Sequence, residues 1–97
     1  MSDHNTLFLQ TASTVINKLD ACYGEAAPDR KVELKEELDR AVMNFSETRC
    51  KILENEVHCT AEDVARIQTL LNEVEQAREI QAVQAIAIRV TQLLASL

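Results

Sequence analysis

Gly24 and Pro28 are the only glycine and the only proline in the chain, and neither type recurs between Asp29 and Leu97. These are the two strongest breakers of regular structure, so a long tract without them favours helices that run until something else stops them. A β-fold is disfavoured, because its turns need such residues, and with no Trp, one Tyr and two Phe the chain is poor in strand formers too. The remaining sequence is dominated by Ala, Leu, Glu, Gln, Lys and Arg, the best helix formers. An all-α fold follows. A length of 97 residues suffices for one small domain with one core. No internal repeat or low-complexity segment divides it, so a single helical domain is expected over 1–97.

Residues 1–5 are expected to be frayed, with Asn5 or Thr6 as the first N-cap. A first helix follows over about 6–23. Phe8, Leu9, Ala12, Val15, Ile16, Leu19, Cys22 and Tyr23 share an arc of about 140° at ~100° per residue, opposite Gln10, Ser13, Asn17, Lys18 and Asp20. Gly24 stands where a left-handed C′ residue belongs, so the helix is expected to stop there. Pro28 suits the first turn of a second helix, expected over 29–57. Its seam is Leu34, Leu38, Ala41, Phe45, Thr48 and Ile52, widened by Val42 and Leu53. Val57-His58-Cys59-Thr60 is then short enough for a tight reversal into an antiparallel hairpin, with a straight continuation as the competing reading because no Gly or Pro enforces the turn.

Thr60-Ala61-Glu62-Asp63 has the form of a capping box and opens a third helix, expected to run unbroken over 61–96. At ~1.5 Å per residue it would span about 50 Å. Its halves carry different apolar faces. Val64, Ile67, Leu70, Leu71, Val74 and Ala77 define one; Ile80, Val83, Ile86, Ala87, Val90, Leu93, Leu94 and Leu97 define the other. At ~100° per residue the two are offset by over about 100°, so no single straight neighbour covers both. The expected architecture is three helices, up-down-up: a short N-terminal helix packed on a long antiparallel helical hairpin.

The formal charge of −6 and pI near 4.8 disfavour nucleic-acid and anionic-membrane partners. The apolar tail carries Gln81, Gln84, Arg89, Thr91, Gln92 and Ser96, too polar for a membrane span. Three cysteines without a C-x-x-C pair point to reduced thiols. With no basic stretch leading into an apolar run near Met1, a cytoplasmic location is expected.

Chemistry-bearing constellations are sparse. Cys50, Glu54 and His58 recur at i, i+4 and i+8 and are possible Zn²⁺ ligands, yet three ligands on one helix edge rarely converge without a second segment. A solvated edge is the expected reading, and no metal or cofactor is expected. His58 and Cys59, adjacent in sequence, would point about 100° apart on a helix, which works against a thiol–imidazole pair. No phosphate loop, nucleophile elbow or HExxH occurs. The chain is therefore expected to be a non-enzymatic protein-interaction module, such as a small acidic chaperone or adaptor. It would oligomerise or hold a partner helix through its apolar C-terminal helix, with Ile86, Ile88, Val90, Leu93 and Leu97 as the contact residues. Ile88 and Ala85 fall outside the main apolar face and mark that second interface. The alternative is an acidic inhibitor or regulator that meets a basic protein surface through helix two.

Overall fold

The computed structural model describes residues 3–97, and most of them lie in four helices: α1 (Asp3–Glu25), α2 (Pro28–Leu53), α3 (Ala61–Gln76) and α4 (Ile80–Ala95). No strand occurs among the described residues. The all-α expectation holds, but the three-helix arrangement gives way to four helices.

The expected helix over 61–96 is two helices. Thr60 opens the first as expected: its hydroxyl accepts from Asp63 N–H (3.1 Å) and Asp63 Oδ2 accepts from Thr60 N–H (2.9 Å). The break follows at Ala77 (φ −67°, ψ 132°) and Glu79 (φ −107°, ψ 146°), both extended. A straight helix over 61–95 would run about 50 Å, past the end of a 41 Å bundle, and in a single copy would carry part of the second apolar face into water. Reversal turns both inward, burying Val64, Ile67, Leu70 and Val74 on α3 and Val83, Ile86, Ala87, Val90, Leu93 and Leu94 on α4. Each buried Leu, Ile or Val contributes about 1.5–3 kcal/mol. The few backbone hydrogen bonds given up at the break are worth about 1 kcal/mol net apiece. Burial wins.

Three other boundaries move for local reasons. α1 starts at Asp3, so Asn5 is inside the helix rather than capping it, and Met1 and Ser2 lie outside the described residues. α1 also passes through Gly24, which does not adopt a left-handed conformation. Pro28 supplies the stop instead. It holds Ala27 at φ −63°, ψ 149°, the extended backbone required before a proline, and itself takes the first turn of α2. α2 ends at Leu53 rather than Val57, because Asn55 turns left-handed (φ 61°). Glu56 N–H then bonds Lys51 O (2.8 Å) and Asn55 N–H bonds Ile52 O (3.1 Å), the paired bonds of a Schellman end.

The helices alternate in direction. Asn5 meets Cys59 at one end of α1 and α3, and Lys18 lies 3.9 Å from Glu75 towards the other, so these two are parallel neighbours. Thr48, buried on α2, donates its hydroxyl to the Leu94 carbonyl (3.3 Å), which brings the ends of α2 and α4 together. The α2–α4 pair is the most extensive, followed by α1–α3; α1–α2 and α3–α4 complete a ring, and α1 touches α4 across the middle. α2 and α3 do not pack on each other. The expected hairpin of helices two and three is thus corrected: the chain does reverse between them, but residues 54–60 cross a diagonal of the bundle. α2 commits its seam to α4, and α3 commits its face to α1. The resulting bundle measures 41 × 22 × 17 Å.

One core runs along it. α1 contributes Phe8, Ala12, Val15, Ile16 and Leu19; α2 contributes Leu34, Leu38, Ala41 and Ile52. Phe45 is partly buried against that core, whereas Val42 and Leu53, expected to widen the α2 seam, are 42% and 51% exposed. Lys31 Nζ sits 5.4 Å from the centroid of the Tyr23 ring, a cation–π contact that joins the end of α1 to the start of α2.

Candidate functional site

α4 is the most apolar of the four helices and the least defined by local signals. Glu79 at its N-cap makes no side-chain capping bond, and no acidic residue lies in its first turn. Tertiary packing of its inner face is what fixes it. That inner face holds most of the residues expected to meet a partner. Ile86, Val90 and Leu93 are in the core, with exposures of 5%, 0% and 8%, and Leu97 packs partly buried against it. Ile88 alone among the five is on the outside, at 36% exposure. The structure therefore brings Ile86, Val90 and Leu93 together but separates them from Ile88 by the width of the helix.

Around Ile88 the outer face consists of Gln81, Gln84, Ala85, Thr91, Gln92 and Ala95, each exposed or partly so. None is charged, although the chain as a whole carries −6. Helical spacing explains the strip: 81, 84/85, 88, 91/92 and 95 step by three or four and keep to one side. Arg89, the only charged residue within α4, leans towards α3, where its Nη1 donates to Glu73 Oε1 (2.8 Å). Both side chains of that pair are roughly half exposed, so it adds little to stability. It does neutralise the one charge beside the strip. Beside it, between α3 and α4, lies an open groove of about 430 Å³ lined by Arg66, Thr69, Leu70, Arg89, Gln92, Leu93 and Ser96. Arg66 in turn is paired with Glu62.

α1 also carries no Asp, Glu, Lys or Arg from Asn5 to Asn17, and there it shows Leu7 (41% exposed) among Gln10, Thr14 and Asn17. It occupies the opposite corner of the bundle, diagonal to α4. Val32 (75%) and Met43 (63%) are exposed on α2, but Val32 is followed by Glu33, Lys35 and Glu36 on a charged helix. Scattered single apolars of this kind are normal on a protein surface.

The Cys50, Glu54 and His58 edge is interrupted. α2 stops at Leu53, so Glu54 is its C-cap and His58 lies in the connection, off the helical line that the i, i+4, i+8 spacing assumes. All three are exposed, and among the described residues no group of three His, Cys, Asp or Glu is placed to hold a metal ion. His58 is exposed while Cys59 is buried, so the two side chains of that pair diverge. Burial, reinforced by the nearby Asp63 carboxylate, pushes the Cys59 thiol up to about 11. Burial and then Glu25 raise Cys22 as well. Both environments disfavour a thiolate. Sequence reasoning missed Asn5, 1% exposed, whose Oδ1 accepts from Cys59 N–H (2.7 Å). Its only trace in the sequence is a position three residues before Phe8, on the apolar face.

The acids of α2 are largely engaged within their own helix. Arg40 lies 2.6 Å from Glu36 and 3.3 Å from Glu37, Lys35 lies 2.9 Å from Asp39, and Arg30 lies 3.5 Å from Glu33. No described helix is long and apolar enough to cross a membrane. Comparison of the chain with family models, with curated proteins and with solved structures finds no match in any of the three.

Proposed function

We propose that the protein is a non-enzymatic protein-interaction module, a small acidic adaptor or chaperone whose outer α4 face receives a partner helix. The observation that supports this is the uncharged strip centred on Ile88 in a chain of net charge −6. A solvent-facing helix ordinarily carries charge for solubility. Interface centres, by contrast, are depleted of charge and built around apolar anchors with amides and hydroxyls at the rim. Ile88 is such an anchor, and Gln81, Gln84, Thr91 and Gln92 supply the rim. A partner helix with apolar residues at i, i+3 or i+4 and i+7 complements it.

The alternative, an acidic regulator acting through α2, draws less support. Glu33, Glu36, Glu37 and Asp39 already face Arg30, Lys35 and Arg40 on the same helix, which leaves little free field for a basic partner. Salt separates the two, since an acidic contact weakens as salt rises and an apolar one does not.

The deciding experiment is capture of partners from the native lysate by wild type, Ile88→Glu and Val32→Glu, with thermal melts alongside. Ile88→Glu should lose the captured partner and melt close to wild type, because Ile88 is outside the core; Val32→Glu should behave as wild type in both. Equal capture by Ile88→Glu and wild type refutes the α4 face as the contact.

A further inference from the structure

We propose that the α3–α4 hairpin opens at Ala77-Arg78-Glu79 and that α4 of one copy docks on α2 of a second copy, giving an exchanged dimer with an unbroken helix over 61–95. The proposal concerns the inner face of α4 and is independent of what the Ile88 face binds, because the exchange leaves Ile88 on the outside in both forms.

The hinge is the first argument. Ala, Arg and Glu are all good helix formers, yet the three residues are non-helical, with Ala77 and Glu79 extended, where α4 folds back. Their non-helical state leaves helix-end groups that a continuous helix would pair. Locally little opposes that change. Arg78 Nη1 donates to the carbonyls of Glu75 and Ala77, at 3.3 Å each, and α4 has no side-chain cap of its own. Short hinges of this kind are where neighbouring copies exchange elements.

The second argument is where α4 finds its contacts. Its most extensive partner is α2, joined to it by the Thr48–Leu94 bond, and not α3, to which the hinge connects it. Every inner-face contact of Val83, Ile86, Val90, Leu93 and Leu94 can therefore form equally well with another copy. The exchange changes the hinge and little else.

Charge is the third. In the exchanged dimer the two bundles meet end to end at the hinge, where Arg30, Lys31 and Arg78 stand among Glu25, Asp29, Glu75 and Glu79, so each copy brings cations to the acids of the other.

The test is to refold the full chain from denaturant at millimolar and at micromolar concentration and to measure mass by size exclusion with light scattering. A dimer fraction that grows with the refolding concentration and reverts slowly to monomer on dilution is expected. Mixing isotopically labelled and unlabelled chains before refolding should then give Thr48–Leu94 proximity signals between copies. Arg78→Pro should lower the dimer fraction more than tenfold, because proline breaks a continuous helix, while Ala77 already has the extended backbone a following proline requires. Inserting Gly-Ser-Gly after Arg78 should do the same without a proline, and Ile88→Glu should leave the dimer unchanged. A chain that stays monomeric after concentrated refolding overturns the proposal. So does a dimer in which the Thr48–Leu94 signals stay within one copy, or one that both hinge variants leave intact.

Discussion

Asn5→Ala is the substitution most informative about how this bundle is held at its crossing end. Asn5 is 1% exposed, and its Oδ1 accepts the Cys59 N–H at 2.7 Å, a short bond within the range for strong amide pairs. Cys59 is itself 6% exposed, so water cannot replace the lost acceptor without opening the site. Leaving a buried donor unpaired costs about 1–3 kcal/mol. A further small loss comes from the side-chain volume removed, and a central expectation of about 2 kcal/mol follows. For a domain of this size each 1 kcal/mol shifts the midpoint by roughly 4–8 °C, so thermal unfolding should drop by about 8–16 °C. Native-state hydrogen exchange reads the same bond directly, and the Cys59 amide should lose its protection in the variant while amides of α2 mid-helix keep theirs. A loss under about 0.5 kcal/mol with the Cys59 amide still protected would refute the reasoning, because an orphaned buried donor cannot be that cheap.

Two further perturbations probe local features. Gly24 lies in helical backbone and a Cβ there meets nothing within 4 Å, so Gly24→Ala should stabilise the fold by about 0.5–1 kcal/mol, seen as a raised denaturation midpoint. The Cys59 thiol, held up to about 11 from its ordinary value of 9.0, is protonated in the folded state at pH values where an unfolded chain would ionise it. Its contribution to stability is full below about pH 9 and is lost as pH rises through about 11, so stability measured by denaturant should fall across that window. Cys59→Ser should flatten the fall.

The inner faces of all four helices were legible from spacing, because one bundle core rewards one apolar stripe per helix. The stripes Phe8 to Leu19, Leu34 to Ile52, Val64 to Val74 and Val83 to Leu94 line the core as their periodicity requires, with Phe45 only partly buried and Val42 and Leu53 left outside. The Thr60–Asp63 box was legible as well, since both partners lie within four residues. The break at Ala77 left no local mark. Only the rotation of the apolar face between the two halves recorded it, and that clue fits two neighbours as well as a reversal. Asn55 ended α2 without the glycine usually sought at that position. The diagonal crossing depends on which faces pair across the whole chain, information no window of sequence contains. As for the candidate site, Ile88 and Ala85 stood off the main face in the sequence and do so in space, but Ile86, Val90 and Leu93 belong to the interior of this fold.

The diagonal passage of residues 54–60 sets the order in which the chain can fold. Because α2 pairs chiefly with α4 and α1 with α3, the main contacts join halves of the chain that are distant in sequence, as Asn5 to Cys59 and Thr48 to Leu94 illustrate. Neither local hairpin owns a closed core. Loop-closure entropy must be overcome across about half the chain before those contacts repay it, so folding should be slower than for a bundle whose successive helices are its chief neighbours. During synthesis the seam from Leu34 to Ile52 leaves the ribosome well before the α4 residues that cover it, and until Leu94 emerges it remains open to whatever helix is nearest.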